Sequence, residues 1–428
     1  MSLAHAVEFF MSILIAAGRP VLAAVLAGVL LWPGRAPALT LDQALRLAET
    51  DAPLLDAQAA ARQAARSAAI PAGELPDPKL VLGVQNLPVD SSERWTLNRD
   101  PMSMKVIGVA QQMINADKRQ ARTDAAMAGV EVADRQQQIT WLAVRRQTAL
   151  AWIDSLALEK KLALFRELYA ENRLFERTVR ARIAGGSGAA ADAVLPQQEK
   201  ALLDEQQDEL EARRRTARAQ LGQWIGPAPA SEPLQGDWPF WPVDPAHYRH
   251  NLERHPELAI FAAQTRQAEA RVREARAEKI PDWGWEVDYQ HRGQAYSNMV
   301  SLKLTFDLPV FTGTRQDPKI AAGQALLAQL EAEREARTRE HDALLAGDLA
   351  RFDQLDQALQ RVDHTLLPLA RQRVQLAMAD YRGGRGTLQA VVEARREQLQ
   401  TRLRRIDVAR QRAAASAVLY FAYGDLRS

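Results

Sequence analysis

Residues 301–308 read SLKLTFDL, and their polar and apolar side chains alternate without a break. Residues 283–290, WGWEVDYQ, place Trp283 and Val287 on one side and Glu286 and Asp288 on the other. A period of two with one apolar and one polar face indicates a strand with one buried face. Runs of this length with aromatic residues at their ends are also typical of strands in outer-membrane barrels.

Two earlier runs predict two more strands. In the first run Leu80, Leu82 and Val84 share a face, and in the second run the residues expected to share a face are Val106, Gly108 and Ala110. The four predicted strands cover about 79–88, 102–113, 283–292 and 298–309. Four strands are too few to close a barrel, and backbone groups in lipid must all be paired. Three chains would supply twelve strands, so the pattern predicts a homotrimer.

Long helices occupy most of the remaining chain. Residues 116–182 contain no proline and a single glycine, and at about 1.5 Å per residue such a helix would be roughly 100 Å long. Apolar residues recur every seven positions in the stretches that follow each glycine cluster. They are Leu203, Leu210, Ala217 and Trp224, and then Val392, Leu399, Ile406, Ala413 and Tyr420. This spacing predicts coiled-coil packing of paired helices.

The chain contains an internal repeat. RIAGGSG at 182–188 matches RGGRG at 382–386, Pro53 matches Pro256, and Pro76-Asp77 matches Pro281-Asp282. We therefore predict a first repeat at 39–226, a linker at 227–244 and a second repeat at 245–428. Their helical hairpins are expected at 115–226 and 317–424, with the glycines at the hairpin tips because a turn there needs left-handed backbone.

Each repeat is expected to open with shorter helices, at 41–70 and 245–279. Thr40 or Asp42 can cap the first, and Asp244 with Pro245 can open the second. Pro368 is expected to kink or break the long helix of the second hairpin.

The amino-terminal segment has the features of an export signal. Residues 21–32, VLAAVLAGVLLW, follow Arg19 and precede Ala36-Pro37-Ala38. A cationic residue, a short apolar run and an A-x-A site predict a signal peptide at 1–38, cleaved after Ala38. An uncleaved anchor is the alternative.

Composition and motifs argue against several functions. The chain has no cysteine and a formal net charge of +2, which excludes thiolate chemistry and argues against a dedicated nucleic-acid binder. It has no H-E-x-x-H, G-x-S-x-G or Walker motif. We predict that the protein is not an enzyme and needs no cofactor.

Several stretches resemble the TolC family of outer-membrane efflux proteins. Leu39-Thr40-Leu41 looks like the family's opening segment, and Tyr381-Arg382-Gly383-Gly384 is similar to its second hairpin tip. Leu75-Pro76-Asp77-Pro78-Lys79, Pro101-Met102-Ser103-Met104 and Asn115-Ala116-Asp117-Lys118-Arg119 resemble the heavy-metal branch, which serves copper/silver or cobalt/zinc/cadmium efflux.

The resemblance implies a mainly α fold with a small β part. It implies a trimeric twelve-stranded barrel in outer-membrane lipid, continued through the periplasm by a tunnel of helical hairpins. Such a passive exit duct works with an inner-membrane RND-type pump and a periplasmic adaptor. Two alternatives stay open: a duct of the same build for drugs or type I protein secretion, and a periplasmic coiled-coil adaptor or structural protein.

Two carboxylates are candidates for a gate. By their position after the tip glycines, Asp192 and Glu393 are expected about two turns into the second helix of each hairpin. In relatives, carboxylates there line the periplasmic constriction, and rings of such groups select cations. The alternative is a pair of ordinary solvated carboxylates.

The tips are candidates for adaptor docking, through Arg182 and Gly185 in the first hairpin and Arg382, Gly384 and Arg385 in the second. Arginine forms forked hydrogen bonds that suit docking, but it also stabilises the carboxyl end of a helix.

Metal ligands are weaker candidates. Met102 and Met104, expected on one strand face, offer thioethers to Cu(I), although apolar packing near a barrel rim explains them as well. His247, His250 and His255 are close together in the sequence, but solvated helix histidines are the favoured interpretation.

Overall fold

A computed structural model describes residues 38–90, 92–186 and 188–424. The predicted signal peptide, apart from Ala38, lies outside these residues, so its cleavage stays a prediction. Within the described part the chain consists mainly of helices, with one sheet of four strands. None of the helices described there is long and apolar enough to cross a bilayer.

The two halves of the chain follow the same order of elements. The first half contains α1 (Leu41–Asp51), α2 (Pro53–Ala69), β1 (Lys79–Gln85), β2 (Met104–Met113), α3 (Ala116–Ala184), α4 (Leu195–Ile225) and the short α5 (Pro227–Ala230). The second half contains α6 (Pro245–Asn251), α7 (Pro256–Ala277), β3 (Trp283–His291), β4 (Met299–Phe306), α8 (Gln316–Arg361), α9 (Leu367–Arg382) and α10 (Leu388–Tyr423).

The predicted helix starts are present. Thr40 and Gln43 form a capping box at α1, and the Asp244 carboxylate accepts from the backbone of Ala246 and His247 at α6. Pro53 and Pro256 are the first residues of α2 and α7, where a missing N–H costs nothing.

The helix α3 runs for 69 residues without interruption. It packs along α4, whose Leu203, Leu210 and Ala217 are buried at the predicted seven-residue spacing. The break expected at Pro368 takes the form of a π-helical turn at Val362–Leu366, which separates α8 from α9. Proline lies in the first turn of α9 because it cannot donate the hydrogen bond that a continuous helix requires there.

A shared core ties the halves together. Leu39, Trp152, Leu221 and Phe421 pack in one buried cluster that draws on α3, α4 and α10. The Trp152 Nε1 donates to the Leu39 carbonyl at 3.3 Å, so the start of the described chain is fixed against α3.

The sheet is antiparallel throughout, in the order β1-β2-β3-β4. The β2–β3 pair joins the two halves of the chain. All four strands lie inside the predicted ranges, and the strand expected to begin near 102 begins at Met104.

Candidate functional site

One face of the sheet is apolar and exposed. Strand register places Leu80, Val109, Val287 and Leu302 in one cross-strand row. The next row on the same face contains Leu82, Ile107, Tyr289 and Val300. Leu302 is 68% exposed and Val300 is 71% exposed. A contiguous apolar surface of this kind marks contact with lipid or with another protein.

The three β2 residues predicted to share a face do share one, but it is not the exposed apolar face. Ile107 and Val109 belong to the exposed apolar face, whereas Val106, Gly108 and Ala110 lie on the opposite face. Gly108 is paired with Asp288, and a Cβ added at Gly108 would lie 1.9 Å from the Asp288 Oδ1. The glycine is therefore needed to make room for a carboxylate.

On β3 and β4 the opposite face is polar. Lys303 Nζ lies 3.7 Å from Glu286 Oε2, and Gln290 Nε2 donates to Ser301 Oγ at 3.0 Å. Asp288 is 7% exposed, and its Oδ1 makes no hydrogen bond within the described part of the chain. A sheet with one apolar and one polar face suits a wall between lipid and water.

The sheet has two open edges among the described residues. The β1 strand pairs only with β2, and the β4 strand pairs only with β3. Exposed edges present unpaired N–H and C=O groups, which favour pairing with another chain.

A buried polar cluster connects the sheet to the first hairpin. Asp282, just before β3, accepts from the Asn115 backbone at 2.8 Å and from Lys118 Nζ at 2.7 Å. Asn115 caps α3 by accepting from the Lys118 backbone. Burial alone would raise the pKa of Asp282, but the Lys118 and Asn115 hydrogen bonds outweigh it and hold that pKa below its ordinary value. The cluster fixes the direction in which α3 leaves the sheet.

The two hairpin tips share one backbone geometry. Gly186 has a φ of 72° and Gly384 a φ of 71°. At the second tip Arg385 N donates to the Asp380 carbonyl and Gly384 N to the Tyr381 carbonyl, which is a Schellman ending. Gly185 and Gly383 directly precede these residues in ordinary backbone conformation.

The tips contact each other through Arg182. Its guanidinium lies 4.0 Å from the centre of the Tyr381 ring and donates to the Tyr381 carbonyl. Tyr381 is buried, and burial, with the nearby Asp192 adding to it, raises the pKa of its phenol. The sequence prediction assigned Arg182 to adaptor docking and placed Tyr381 at the second tip, but it did not predict that the two residues meet. The aromatic residue directly before the glycine turn was the available signal.

The other predicted tip residues are exposed. Arg382 is exposed, and a guanidinium nitrogen of the exposed Arg385 lies 3.6 Å from Asp380 Oδ1. The role of both arginines in docking stays a prediction.

The two gate candidates differ in their placement. Asp192 lies in a 3-10 turn, Ala190–Val194, before α4 begins, so the expectation that it lies two turns into that helix was wrong. The helix α4 begins only at Leu195, with Pro196 in its first turn, where a missing N–H costs nothing. Glu393 lies in the second turn of α10, is exposed and accepts from Gln389 at 3.2 Å.

The methionine candidates do not share a strand face. Asp100 Oδ1 accepts from the backbone of Met102 and Ser103, and this turn leaves Met102 outside β2 and 56% exposed. Met104 is buried at the start of the strand. Of the three neighbouring histidines, His247 contacts Asn251 and His250 is exposed, whereas His255 is buried beside His341.

Comparison with known proteins fits this architecture. The family description "Outer membrane efflux protein" matches residues 248–425. The chain is 27% identical over 401 residues to the cobalt-zinc-cadmium resistance protein CzcC of Cupriavidus metallidurans, covering 89% of each chain.

The chain is therefore similar to outer-membrane efflux proteins, with the family model covering the second repeat and the relative most of the chain. Two solved structures share the fold. A membrane protein from Pseudomonas aeruginosa superposes with a TM-score of 0.78 at 19% identity, covering 90% of this chain and 92% of that one. The outer membrane protein VceC of Vibrio cholerae gives a TM-score of 0.75 at 16% identity, covering 90% and 96%.

Proposed function

We propose that this chain is an outer-membrane efflux protein and forms one third of a trimeric exit duct for heavy-metal ions. The sheet carries the proposal: one face is exposed and apolar, the other is polar, and both edges are open. Joining β1 of one chain to β4 of the next in a ring of three removes every open edge and gives twelve strands. The apolar face then meets lipid and the polar face lines water.

The hairpins supply the periplasmic part of the duct. At about 1.5 Å per residue, the 69 residues of α3 span roughly 100 Å. A helix of that length fits a tunnel that reaches from the outer membrane toward an inner-membrane pump. The exposed Arg382 and Arg385 at the second tip would meet a periplasmic adaptor, and the pump would be of the RND type.

Heavy-metal ions are the proposed substrate class because the relative CzcC is a cobalt-zinc-cadmium resistance protein. The test is a strain that lacks this chain, scored for growth in cobalt, zinc, cadmium, copper and silver salts and in a panel of drugs. Restored metal tolerance on complementation supports the proposal. Metal tolerance that is unchanged while drug tolerance falls favours a drug duct instead.

The assembly is tested separately on the purified chain. Native mass spectrometry in detergent should give three copies per particle. A monodisperse single copy in buffer without detergent would contradict the barrel.

Asp192 and Glu393 are proposed to form acidic rings near the tips. Three copies of each carboxylate around one axis would attract cations and hold the opening narrow. In planar bilayers, the Asp192→Ala, Glu393→Ala double variant should show higher leak conductance and weaker cation selectivity. Glu205→Ala, which removes an exposed carboxylate farther along α4, is the control. Conductance and selectivity equal to those of the control would remove this role from the two residues.

A further inference from the structure

Two buried histidines and a carboxylate converge where three helices of the second repeat meet. His255 precedes α7, Glu257 lies in its first turn, and His341 lies in the middle of α8. Each contributes one ligand atom, and the three atoms lie within 4.8 Å of one another. His255 is 7% exposed and His341 is 6% exposed.

The spacing of these atoms fits two ligands of one metal ion. His341 Nε2 is 3.3 Å from Glu257 Oε2, yet this buried nitrogen makes no hydrogen bond within the described residues. Zinc binds nitrogen and carboxylate oxygen at about 2.0–2.2 Å, which puts two ligand atoms of a tetrahedral site roughly 3.3–3.6 Å apart.

Neighbouring side chains hold the two imidazoles in place. The ring centres of His255 and His341 are 4.2 Å apart. The ring of His341 is held on its other side, where Nδ1 lies 3.5 Å from the Tyr423 hydroxyl at the end of α10. Hydrogen bonds of this kind orient histidine ligands in metal sites.

Charges of both signs approach the cluster from the neighbouring helices. The positive charge of Arg146 on α3 interacts electrostatically with His255, and the negative charge of Asp348 on α8 interacts with Tyr423. The Glu257 side chain is 39% exposed, which gives an ion a route from solvent.

We propose that His255, Glu257 and His341 bind one zinc-class divalent ion per chain and thereby join α7 to α8. The donor set of two imidazoles and one carboxylate is one that zinc uses, with a fourth position left for water. The site lies in a helical core and uses no residue of the proposed gate. The inference rests on this chain's own residues and is independent of the proposed transport function.

Metal binding would compete with a helix cap. His255 Nδ1 accepts from the Glu257 backbone at 3.2 Å, so it carries no proton in that arrangement. Ligation through Nε2 requires a proton on Nδ1 and breaks this bond, and ligation through Nδ1 replaces it. His255 is therefore either a cap or a ligand, and a variant can separate the two roles.

His255→Asn is that variant, because asparagine is a strong N-cap and removes only the imidazole. His341→Gln removes the second ring, and His250→Asn changes an exposed histidine on the neighbouring α6 as the control. The full chain is purified in detergent without a histidine tag, stripped with a chelator and dialysed against zinc. The metal is then counted per chain by mass spectrometry, and cobalt is used in parallel for its visible spectrum.

Wild type and His250→Asn should retain one zinc per chain and, when loaded with cobalt, give the intense visible bands of tetrahedral Co(II). Both signals should be lost in His255→Asn and His341→Gln. Zinc should raise the unfolding temperature of wild type and leave that of His255→Asn unchanged. Wild type without stoichiometric zinc, or His255→Asn with undiminished zinc, overturns the site. Neither result bears on whether the chain conducts metal, which the growth assay decides.

Discussion

Replacing Gly108 with alanine tests the close contact that joins the two repeats in the sheet. The Cβ introduced there would lie 1.9 Å from Asp288 Oδ1 and 2.7 Å from the Val287 carbonyl oxygen. Heavy atoms of other residues essentially never lie within 3.0 Å of a real Cβ, so something must shift. The Asp288 side chain can rotate, but the Val287 carbonyl belongs to the β2–β3 backbone ladder. We expect the β2–β3 pairing to open locally.

The magnitude follows from the two opposing effects of the substitution. Overpacking costs about 1–3 kcal/mol, and a backbone clash belongs at the upper end of that range. Replacing glycine with alanine also stabilises by about 0.4–1 kcal/mol through the unfolded chain. The net loss is about 2 kcal/mol, which corresponds to roughly 30-fold because each 1.4 kcal/mol is a factor of ten.

Gly83→Ala is the matched control. Gly83 lies in the same sheet, on the same face, and has no heavy atom within 4 Å of its added Cβ. It should be neutral or slightly stabilised.

The assay is amide hydrogen exchange of peptides covering 104–113 and 283–291 in the detergent-solubilised protein. Exchange governed by local opening should be about 30-fold faster in Gly108→Ala than in wild type, and unchanged in Gly83→Ala. If both variants protect these strands equally well, then Gly108 is not required by a close approach and the packing argument fails.

Three further outcomes are expected. Asp282→Asn leaves Lys118 without its anion in a buried site and should destabilise the purified protein by about 2 kcal/mol. Because the wild-type carboxylate has a lowered pKa, its stabilising contribution is present above pH 3.8 and is lost as the pH falls through the folded pKa. The urea midpoints of the two proteins should therefore converge only in acid, and convergence at pH 7 would contradict the assignment. Arg182→Lys keeps the charge but loses the planar contact with Tyr381, and it should raise the open probability of single channels. Arg382→Lys at the exposed position should not raise it. Equal open probability in the two variants would mean that the Arg182–Tyr381 contact has no part in gating. Leu302→Arg on the apolar face should lower the free energy of unfolding of the vesicle-embedded protein by about 2–4 kcal/mol, and Ser301→Arg on the polar face should lower it less. Similar urea midpoints for the two variants would mean that the apolar face does not meet lipid.

The elements that repeat along the chain were predictable because their signals are local. Proline-free length fixed α3, the seven-residue spacing of Leu203 and Leu210 fixed the packed side of α4, and the matching glycines fixed both tips. Each of these depends on residues a few turns apart, so one sequence is enough to show them.

The sequence could not predict features that depend on residues that are neighbours in space but distant in the chain. The β2 sequence, MKVIGVAQQM, is apolar on both sides of the strand, so alternation alone cannot say which side is exposed. The answer depends on β3, which places Asp288 opposite Gly108 and Val287 opposite Val109. Because Asp288 makes the Gly108 side of the sheet polar, the Val109 side is the apolar one. The residue that decides this is about 180 positions away from β2 in the chain.

The histidine cluster shows the same limit more sharply. In the sequence His255 has His247 and His250 as its nearest equivalents, and the i, i+3 spacing of those two invites a metal site on one helix face. The 3-10 turn at Leu252–Arg254 and the proline at 256 rotate His255 away from both and into the core. The histidine that lies beside it is His341, which the packing of α8 against α7 brings there. Helix packing places residues side by side that are far apart in the sequence and share no local spacing. A ligand set assembled across helices therefore has no signature in one sequence, and geometry is the first place where it becomes visible.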